Sequence, residues 1–306
     1  MKLGIIGGAG RLGATAAFCV GLKDCVDEIK LMDIKENMVK ANVIDMTQAF
    51  LPVSRTKVSY AAAYEDFADC EIILNTAAQP YTKEITDRAQ ELRINADLVA
   101  PIAAELKRCC SPDTVLIVTA NPVDVYVYMY EKLLGWGSGK ILGLGVNDTV
   151  RLKWATELIT GREYRNLNAV CVGEHGSNTV RLLDSITYGG LPFVLSEEEK
   201  KQIEAACDGW FGKWVALETG TTTGYTSAVT LSLMVEAIAG DTKRVMPCSS
   251  TMCAQVGFPG VSIGMPLRLG SGGAQEVILP PLNERERAAL DISAMKVRTM
   301  LSELGY

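Results

Sequence analysis

Along the first half of the chain, hydrophobic residues gather into short apolar runs separated by longer amphipathic stretches. The runs Leu3–Ile6, Ile29–Met32, Lys57–Tyr60, Ile72–Thr76, Val115–Thr119 and Ile141–Gly143 have strand length. Between them, apolar positions recur at helical spacing over Leu12–Leu22, Glu36–Ala49, Asp87–Cys109 and Val123–Leu134. Alternating strands and helices signal βαβ units, because parallel strands need a crossover long enough to hold a helix. Six such strands with helices on both faces predict an α/β, doubly wound parallel (Rossmann) sheet.

After about Gly145 the pattern changes. Helical spacing is expected over Asp148–Ile159, Glu197–Leu217 and Ser227–Ala239, and from Glu284, where Leu290, Met295, Val297, Leu301 and Leu304 share a helix face. Strand-like runs are expected at Asn168–Val172, Thr179–Thr187, Val261–Leu269 and Ala274–Leu279. This mixture predicts a second, α+β domain, so residues 1–145 form a cofactor-type domain and residues 146–306 a substrate domain. No internal repeat or flexible linker separates them, which implies a substantial shared interface.

With 306 residues, 48% hydrophobic and 22% charged, the chain can bury enough apolar surface to fold, and disordered or fibrous classes are excluded. Its net charge is −6 and no Lys/Arg block exceeds two residues, so no nucleic-acid footprint is expected. Nine cysteines without CxxC pairs fit neither a metal site nor a disulfide framework, and are expected to be reduced in a cytoplasmic protein. The uncharged stretch from Val245 to Leu267 contains three prolines and three glycines, which rules out a continuous membrane helix. The opening MKLGIIGGAGRLG has no long apolar region before Arg11, so no signal peptide is expected.

Gly8-Ala9-Gly10-Arg11-Leu12-Gly13 fits G-x-G-x-x-G, follows an apolar strand and opens a helix. The first glycine is expected to allow the tight turn, the second to admit a pyrophosphate to the backbone, and the third to let helix and strand pack. The helix N-terminus adds free N–H donors. Asp33, 20 residues beyond Gly13, closes the second apolar run. A carboxylate there accepts hydrogen bonds from ribose hydroxyls and repels a 2′-phosphate, which points to NAD rather than NADP. The chain has one histidine, His175, in Gly173-Glu174-His175-Gly176. Imidazole exchanges a proton near neutral pH, as hydride chemistry on an alcohol or ketone requires.

These motifs, with Thr119-Ala120-Asn121-Pro122-Val123-Asp124, Asn147-Asp148-Thr149-Val150-Arg151 and Gly224-Tyr225-Thr226-Ser227, occur in an order that resembles the L-lactate/malate dehydrogenase family over the whole chain. The resemblance implies an NAD-dependent oxidoreductase interconverting a small L-2-hydroxy acid and its 2-oxo acid. It makes His175 the proton donor and acceptor, Asp148 the carboxylate holding its imidazole, and Arg151 the bidentate grip on the substrate carboxylate. It places Asn121 beside substrate and nicotinamide, and Thr226 against the substrate side chain. Gly8, Gly10, Arg11, Leu12, Gly13, Asp33 and Asn121 become the cofactor contacts. Counting back from Asn95 identifies Arg88 as the arginine that polarises the carbonyl, ahead of Arg93, which lies about 140° further round the helix. The resemblance also implies a homodimer or homotetramer, and with no arm before the first strand, assembly through such an arm is not expected.

The chain departs from the family pattern at two places. In Ala77-Ala78-Gln79-Pro80-Tyr81-Thr82-Lys83-Glu84-Ile85-Thr86-Asp87 there is one residue more than usual, and the selectivity position is Tyr81 read from the left or Thr82 read from the right. Neither is the arginine with which malate dehydrogenases pair a second carboxylate. Between Gly145 and Asp148 one residue is missing, which leaves Asp148 and Arg151 in register with each other. A monocarboxylate or polar-tailed 2-oxo acid is therefore expected. The alternative is a malate dehydrogenase that uses Lys83 or Arg93 for the second carboxylate. An NAD-binding sensor or structural subunit without turnover would not need His175, Asp148, Arg151 and Arg88 together.

Overall fold

The computed structural model describes residues 1–79, 88–218 and 223–306, without side chains for residues 88–91, 211 and 215. Its first half runs β1 (Lys2–Ile6), α1 (Arg11–Leu22), β2 (Glu28–Met32), α2 (Glu36–Phe50), β3 (Lys57–Tyr60), β4 (Ile72–Asn75), α3 (Arg88–Cys109), β5 (Val115–Val118), α4 (Val123–Leu134) and β6 (Ile141–Leu144). These six strands are parallel in the order β3-β2-β1-β4-β5-β6, the doubly wound arrangement expected from the apolar runs. Leu3, Ile5, Ile72, Ile73, Leu74, Leu116 and Ile117 have no exposed surface, as strands covered on both faces must.

The second half runs α5 (Val146–Thr160), β7 (Leu167–Asn168), β8 (Cys171–Gly173), β9 (Thr179–Arg181), β10 (Thr187–Tyr188), β11 (Leu191–Pro192), α6 (Glu197–Val215), α7 (Tyr225–Ala239), β12 (Val245–Ser250), β13 (Ile263–Gly270), β14 (Gly273–Val277) and α8 (Glu284–Glu303). Two strand expectations need correction. The run Asn168–Val172 divides between β7 and β8, which lie in different sheets, and Thr179–Thr187 divides between β9 and β10. Tyr188 and Thr187 pair with Leu167 and Asn168 in a three-stranded sheet, while Cys171 turns its N–H to the Thr149 hydroxyl at 2.9 Å. The chain therefore changes sheets at Ala169–Val170.

Sequence reasoning missed β12 altogether. It pairs antiparallel with β6, Cys248 opposite Leu144, and along its whole length with β13. The parallel sheet thus continues as β6-β12-β13-β8-β9 with β14 beside β13. The shared interface expected between the halves is backbone hydrogen bonding within one sheet, which fixes the loop after β8 relative to the strand ends of the first half. Among the described residues no helix is long and apolar enough to cross a membrane.

Candidate active site

The glycine-rich loop leaves β1 at the carboxyl edge of the sheet, beside the β1/β4 switch point where ligands of doubly wound sheets gather. The tight turn is made at Gly7, with φ +89°, and not at Gly8 as the fingerprint suggested. A Cβ on Gly13 would sit 2.2 Å from the Gly7 carbonyl oxygen, so the third glycine is what lets α1 seat against the loop. Gly10 is the N-cap of α1 and offers no side-chain hydrogen bond, so the helix N-terminus with Arg11, Leu12 and Gly13 in its first turn opens on the glycine-rich loop. Asp33 follows β2. Its two carboxylate oxygens accept from the Ala9 N–H at 3.1 Å and the Lys35 N–H at 3.0 Å. Each oxygen keeps a further lone pair for a ribose hydroxyl, so these residues fit a dinucleotide.

Asp148 lies in the first turn of α5, and Arg151, one turn later, donates from NH1 to Asp148 Oδ1 at 2.9 Å. The other oxygen, Oδ2, stands 2.6 Å from Nδ1 of His175 on the loop after β8. Residues 27 positions apart are thus joined into the constellation His175–Asp148–Arg151 that the motifs implied. Burial opposes the charged imidazolium, but the Asp148 charge and hydrogen bond outweigh it and raise the His175 pKa above its usual 6.5. Burial likewise opposes the Asp148 carboxylate, and the His175 and Arg151 charges outweigh it and hold its pKa below the ordinary value. With Nδ1 committed to an ionised carboxylate, Nε2 is the nitrogen left to exchange a proton.

The histidine loop is fastened from below. Gly173 adopts φ +92°, and the Glu174 N–H donates to the Ser293 hydroxyl of α8 at 2.5 Å. The Glu174 carboxylate is buried and accepts from the Asn178 N–H at 2.9 Å. The His175 N–H itself donates to Asp124 Oδ2 at 2.7 Å, and the Ser249 hydroxyl donates to Asp124 Oδ1 at 2.5 Å. The Ser262 hydroxyl donates to the Asp124 carbonyl. Asp124, on the first turn of α4, is only 1% exposed, and its burial pushes the carboxyl up to about 6 against those two hydrogen bonds. Asp124 closes the motif Thr119–Asp124, whose resemblance assigns it no role. The signal was a carboxylate amid Val123, Val125, Tyr126 and Val127 on a buried helix.

Other expected site residues are placed as follows. Asn121 is exposed on the β5–α4 loop, and its carbonyl accepts from the Asn95 amide at 3.4 Å. Thr226 is exposed on the first turn of α7. That turn is tied to the start of α5, because the Asn147 amide donates to the Ser227 hydroxyl at 2.8 Å and the Thr230 hydroxyl donates to Asn147 Oδ1 at 2.9 Å. Gly224 lies against Leu12, so the first turns of α1 and α7 are neighbours. Tyr81, Thr82 and Lys83 lie outside the described residues. Arg88 opens α3, and its side chain lies outside them as well. Arg93 is exposed on α3.

Comparison with known proteins agrees with this geometry. The family description "lactate/malate dehydrogenase, NAD binding domain" matches residues 1–143, and "lactate/malate dehydrogenase, alpha/beta C-terminal domain" matches residues 147–304. The chain is 32% identical to a malate dehydrogenase of Salinibacter ruber, over 99% of this chain and 97% of that one. A solved malate dehydrogenase structure from the same organism superposes with a TM-score of 0.89 at 31% identity, covering 100% of this chain and 98% of the other. A lactate dehydrogenase from a Medee basin deep-sea metagenome library shares the fold with a TM-score of 0.89 at 24% identity, over 100% and 99% of the two chains.

Proposed function

The chain belongs to the lactate/malate dehydrogenase family, and we propose that it acts on a small L-2-hydroxy acid without a second carboxylate and on the matching 2-oxo acid. It is an NAD-dependent 2-hydroxy acid dehydrogenase. In our reading residues 1–145 carry the cofactor and residues 146–306 the substrate. Gly8, Gly10, Arg11, Leu12, Gly13, Asp33 and Asn121 hold NAD, which when bound supplies the hydride acceptor or donor.

The observation that carries this reading is the pairing of His175 and Arg151 on the two oxygens of one carboxylate, Asp148. It sets a proton-exchanging nitrogen and an anion-binding fork at a fixed spacing. During oxidation, neutral His175 takes the substrate hydroxyl proton at Nε2; during reduction the imidazolium returns it. Asp148 holds the ring orientation and stabilises the charge that appears on it. Arg151 binds the substrate carboxylate with two parallel hydrogen bonds, which a lysine cannot reproduce. Arg88 polarises the carbonyl as charge develops on its oxygen. Thr226 faces the substrate side chain, with Tyr81 or Thr82 at the position that selects it.

The preference for an uncharged tail follows from Tyr81 and Thr82, where the family pattern needs an arginine for a second carboxylate. A second reading is malate dehydrogenase with Lys83 or Arg93 in that role. The relatives named malate dehydrogenase, at 29–32% identity, favour it. Consumption of NADH with a panel of 2-oxo acids tests the reaction. Turnover by the wild type and a fall of roughly 10²–10⁴ in His175→Asn is the expected result; turnover of none of the acids, or an undiminished His175→Asn, overturns it.

The nine cysteines are unpaired, in keeping with a cytoplasmic protein. We further assign a homodimer or homotetramer. Ile44 and Leu51 on and beside α2, Trp154 and Leu158 on α5, and Tyr225 and Val229 on α7 are exposed apolar residues; α1 contacts both α2 and α7, and α7 contacts α5. Sedimentation at a mass above 33.0 kDa is expected, and a monomer overturns the assignment.

A further inference from the structure

Arg151 has a second neighbour that none of the motifs contains. On α6, which packs against α5, the indole of Trp210 presents its ring to the guanidinium, whose Cζ lies over it at 4.1 Å from the ring centroid. The geometry points to Trp210 as a positioning residue that fixes the plane of Arg151, and thereby sets the affinity of the site for the substrate carboxylate. This inference rests on the reading of Arg151 as the carboxylate grip.

Among the described residues the Arg151 side chain, 27% exposed, hydrogen-bonds Asp148 through NH1 alone. One hydrogen bond at one corner leaves a planar fork free to rotate about that corner. Rotation one way closes a second bond onto Asp148, which removes donors from the substrate and draws the carboxylate away from His175. A ring face stacked on the guanidinium leaves in-plane donors exposed while opposing that rotation, and the quadrupole of an indole makes it the strongest of the aromatic platforms for a cation. The donors are thus presented before the substrate arrives, so binding does not have to order them.

Trp210 is itself held. Two residues earlier Asp208 accepts from Arg181 of β9 at 2.6 Å, which pins this stretch of α6 to the strand next to the His175 loop. On the same helix Ile203 is fully buried in the small apolar cluster of the second half, with Ala206 and Cys207 packed against that cluster. The indole is therefore carried on a helix anchored to the same sheet that positions His175.

The test is steady-state kinetics of 2-oxo acid reduction by Trp210 variants with NADH saturating. Trp210→Leu is expected to raise KM for the 2-oxo acid by about 3- to 30-fold, the span between a half-exposed and a desolvated cation–π contact. kcat and KM for NADH should change much less, and Trp210→Phe should recover most of the loss. In an Arg151→Lys background, which has no plane to hold, Trp210→Leu should add less than about twofold. If Trp210→Leu does not fold, Trp210→Phe and Trp210→Met supply the same graded comparison of ring against aliphatic chain. A KM within twofold of wild type in a folded Trp210→Leu protein, an equal loss in kcat and in NADH affinity, or an undiminished effect beside Arg151→Lys overturns the inference. A wild type that consumes no 2-oxo acid instead defeats the functional reading on which it rests, so the two failures are distinguishable.

Discussion

The backbone N–H of His175 donates to the buried carboxylate of Asp124 at 2.7 Å, so the histidine loop is held by a residue at the start of α4 in the other half of the chain. Its ring is held by Asp148 and its main chain by Asp124, and the two carboxylates differ in charge preference. Asp148 is favoured as the anion by two cations, whereas Asp124 lies in an apolar setting that favours its neutral form.

Asp124→Ala should therefore damage both stability and turnover. It leaves the His175 N–H and the Ser249 hydroxyl without their acceptor, a loss of about 2–4 kcal/mol for two buried groups. A displacement of the imidazole by about 1 Å can lower kcat on the order of 10²-fold. Thermal unfolding and kcat check this, with a Tm and kcat both at wild-type values as the contrary result.

Asp124→Asn should be the milder change, and milder still at high pH. The folded pKa of Asp124 is raised above 3.8, so ionisation costs the wild type stability as pH climbs from about 4 through about 6. The amide escapes that cost. Its deficit relative to wild type, from denaturant unfolding, should shrink between pH 4 and pH 8; a deficit that grows would count against the buried neutral carboxyl.

With His175 as the proposed acid–base group, its raised pKa should set the pH profile of turnover. Reduction needs the imidazolium, so kcat/KM for a 2-oxo acid should stay flat past pH 6.5 and fall as pH rises through the folded pKa. Oxidation needs neutral imidazole and should rise over the same range. Asp148→Asn removes the charge that outweighs burial, so both limbs should move to lower pH. Unmoved limbs in that variant would assign the titration to another group.

Cofactor choice should follow Asp33. Its oxygens already accept from Ala9 and Lys35, so Asp33→Ser removes an acceptor and a like charge facing a 2′-phosphate. The NADH over NADPH ratio in kcat/KM should narrow by about tenfold, or ~1.4 kcal/mol. A wild-type enzyme that uses NADPH as well as NADH would refute the role of Asp33.

Much of the first half is legible because its evidence is local: Leu3–Ile6 or Ile72–Thr76 shows a buried strand within a few residues, and Gly8–Gly13 marks the strand-to-helix loop, although the turn itself falls one residue earlier at Gly7. What sequence reasoning missed depends on distant partners. Strand β12 reads Val-Met-Pro-Cys-Ser-Ser, with a proline and no alternation, and becomes a strand because β6 and β13 flank it. Asp124 is recognisable as an oddity in an apolar helix, yet its meaning comes from a backbone N–H 51 positions away. Trp210 reads as one apolar residue of an amphipathic helix until α6 lays it under Arg151. Asp148 and Arg151 share one short motif and His175 lies in another, and it was the family resemblance that implied their grouping.

The measurement that tests the account most directly is kcat/KM for pyruvate, a longer 2-oxo acid and oxaloacetate, each with NADH, in the wild type and in Lys83→Ala. A second carboxylate entering a closing, water-poor site without a fixed cation costs several kcal/mol, and each ~1 kcal/mol is about fivefold in rate. A monocarboxylate or polar-tailed 2-oxo acid should exceed oxaloacetate in kcat/KM, and Lys83→Ala should leave that order unchanged. A strong preference for oxaloacetate that is abolished by Lys83→Ala would contradict it and assign the enzyme to malate.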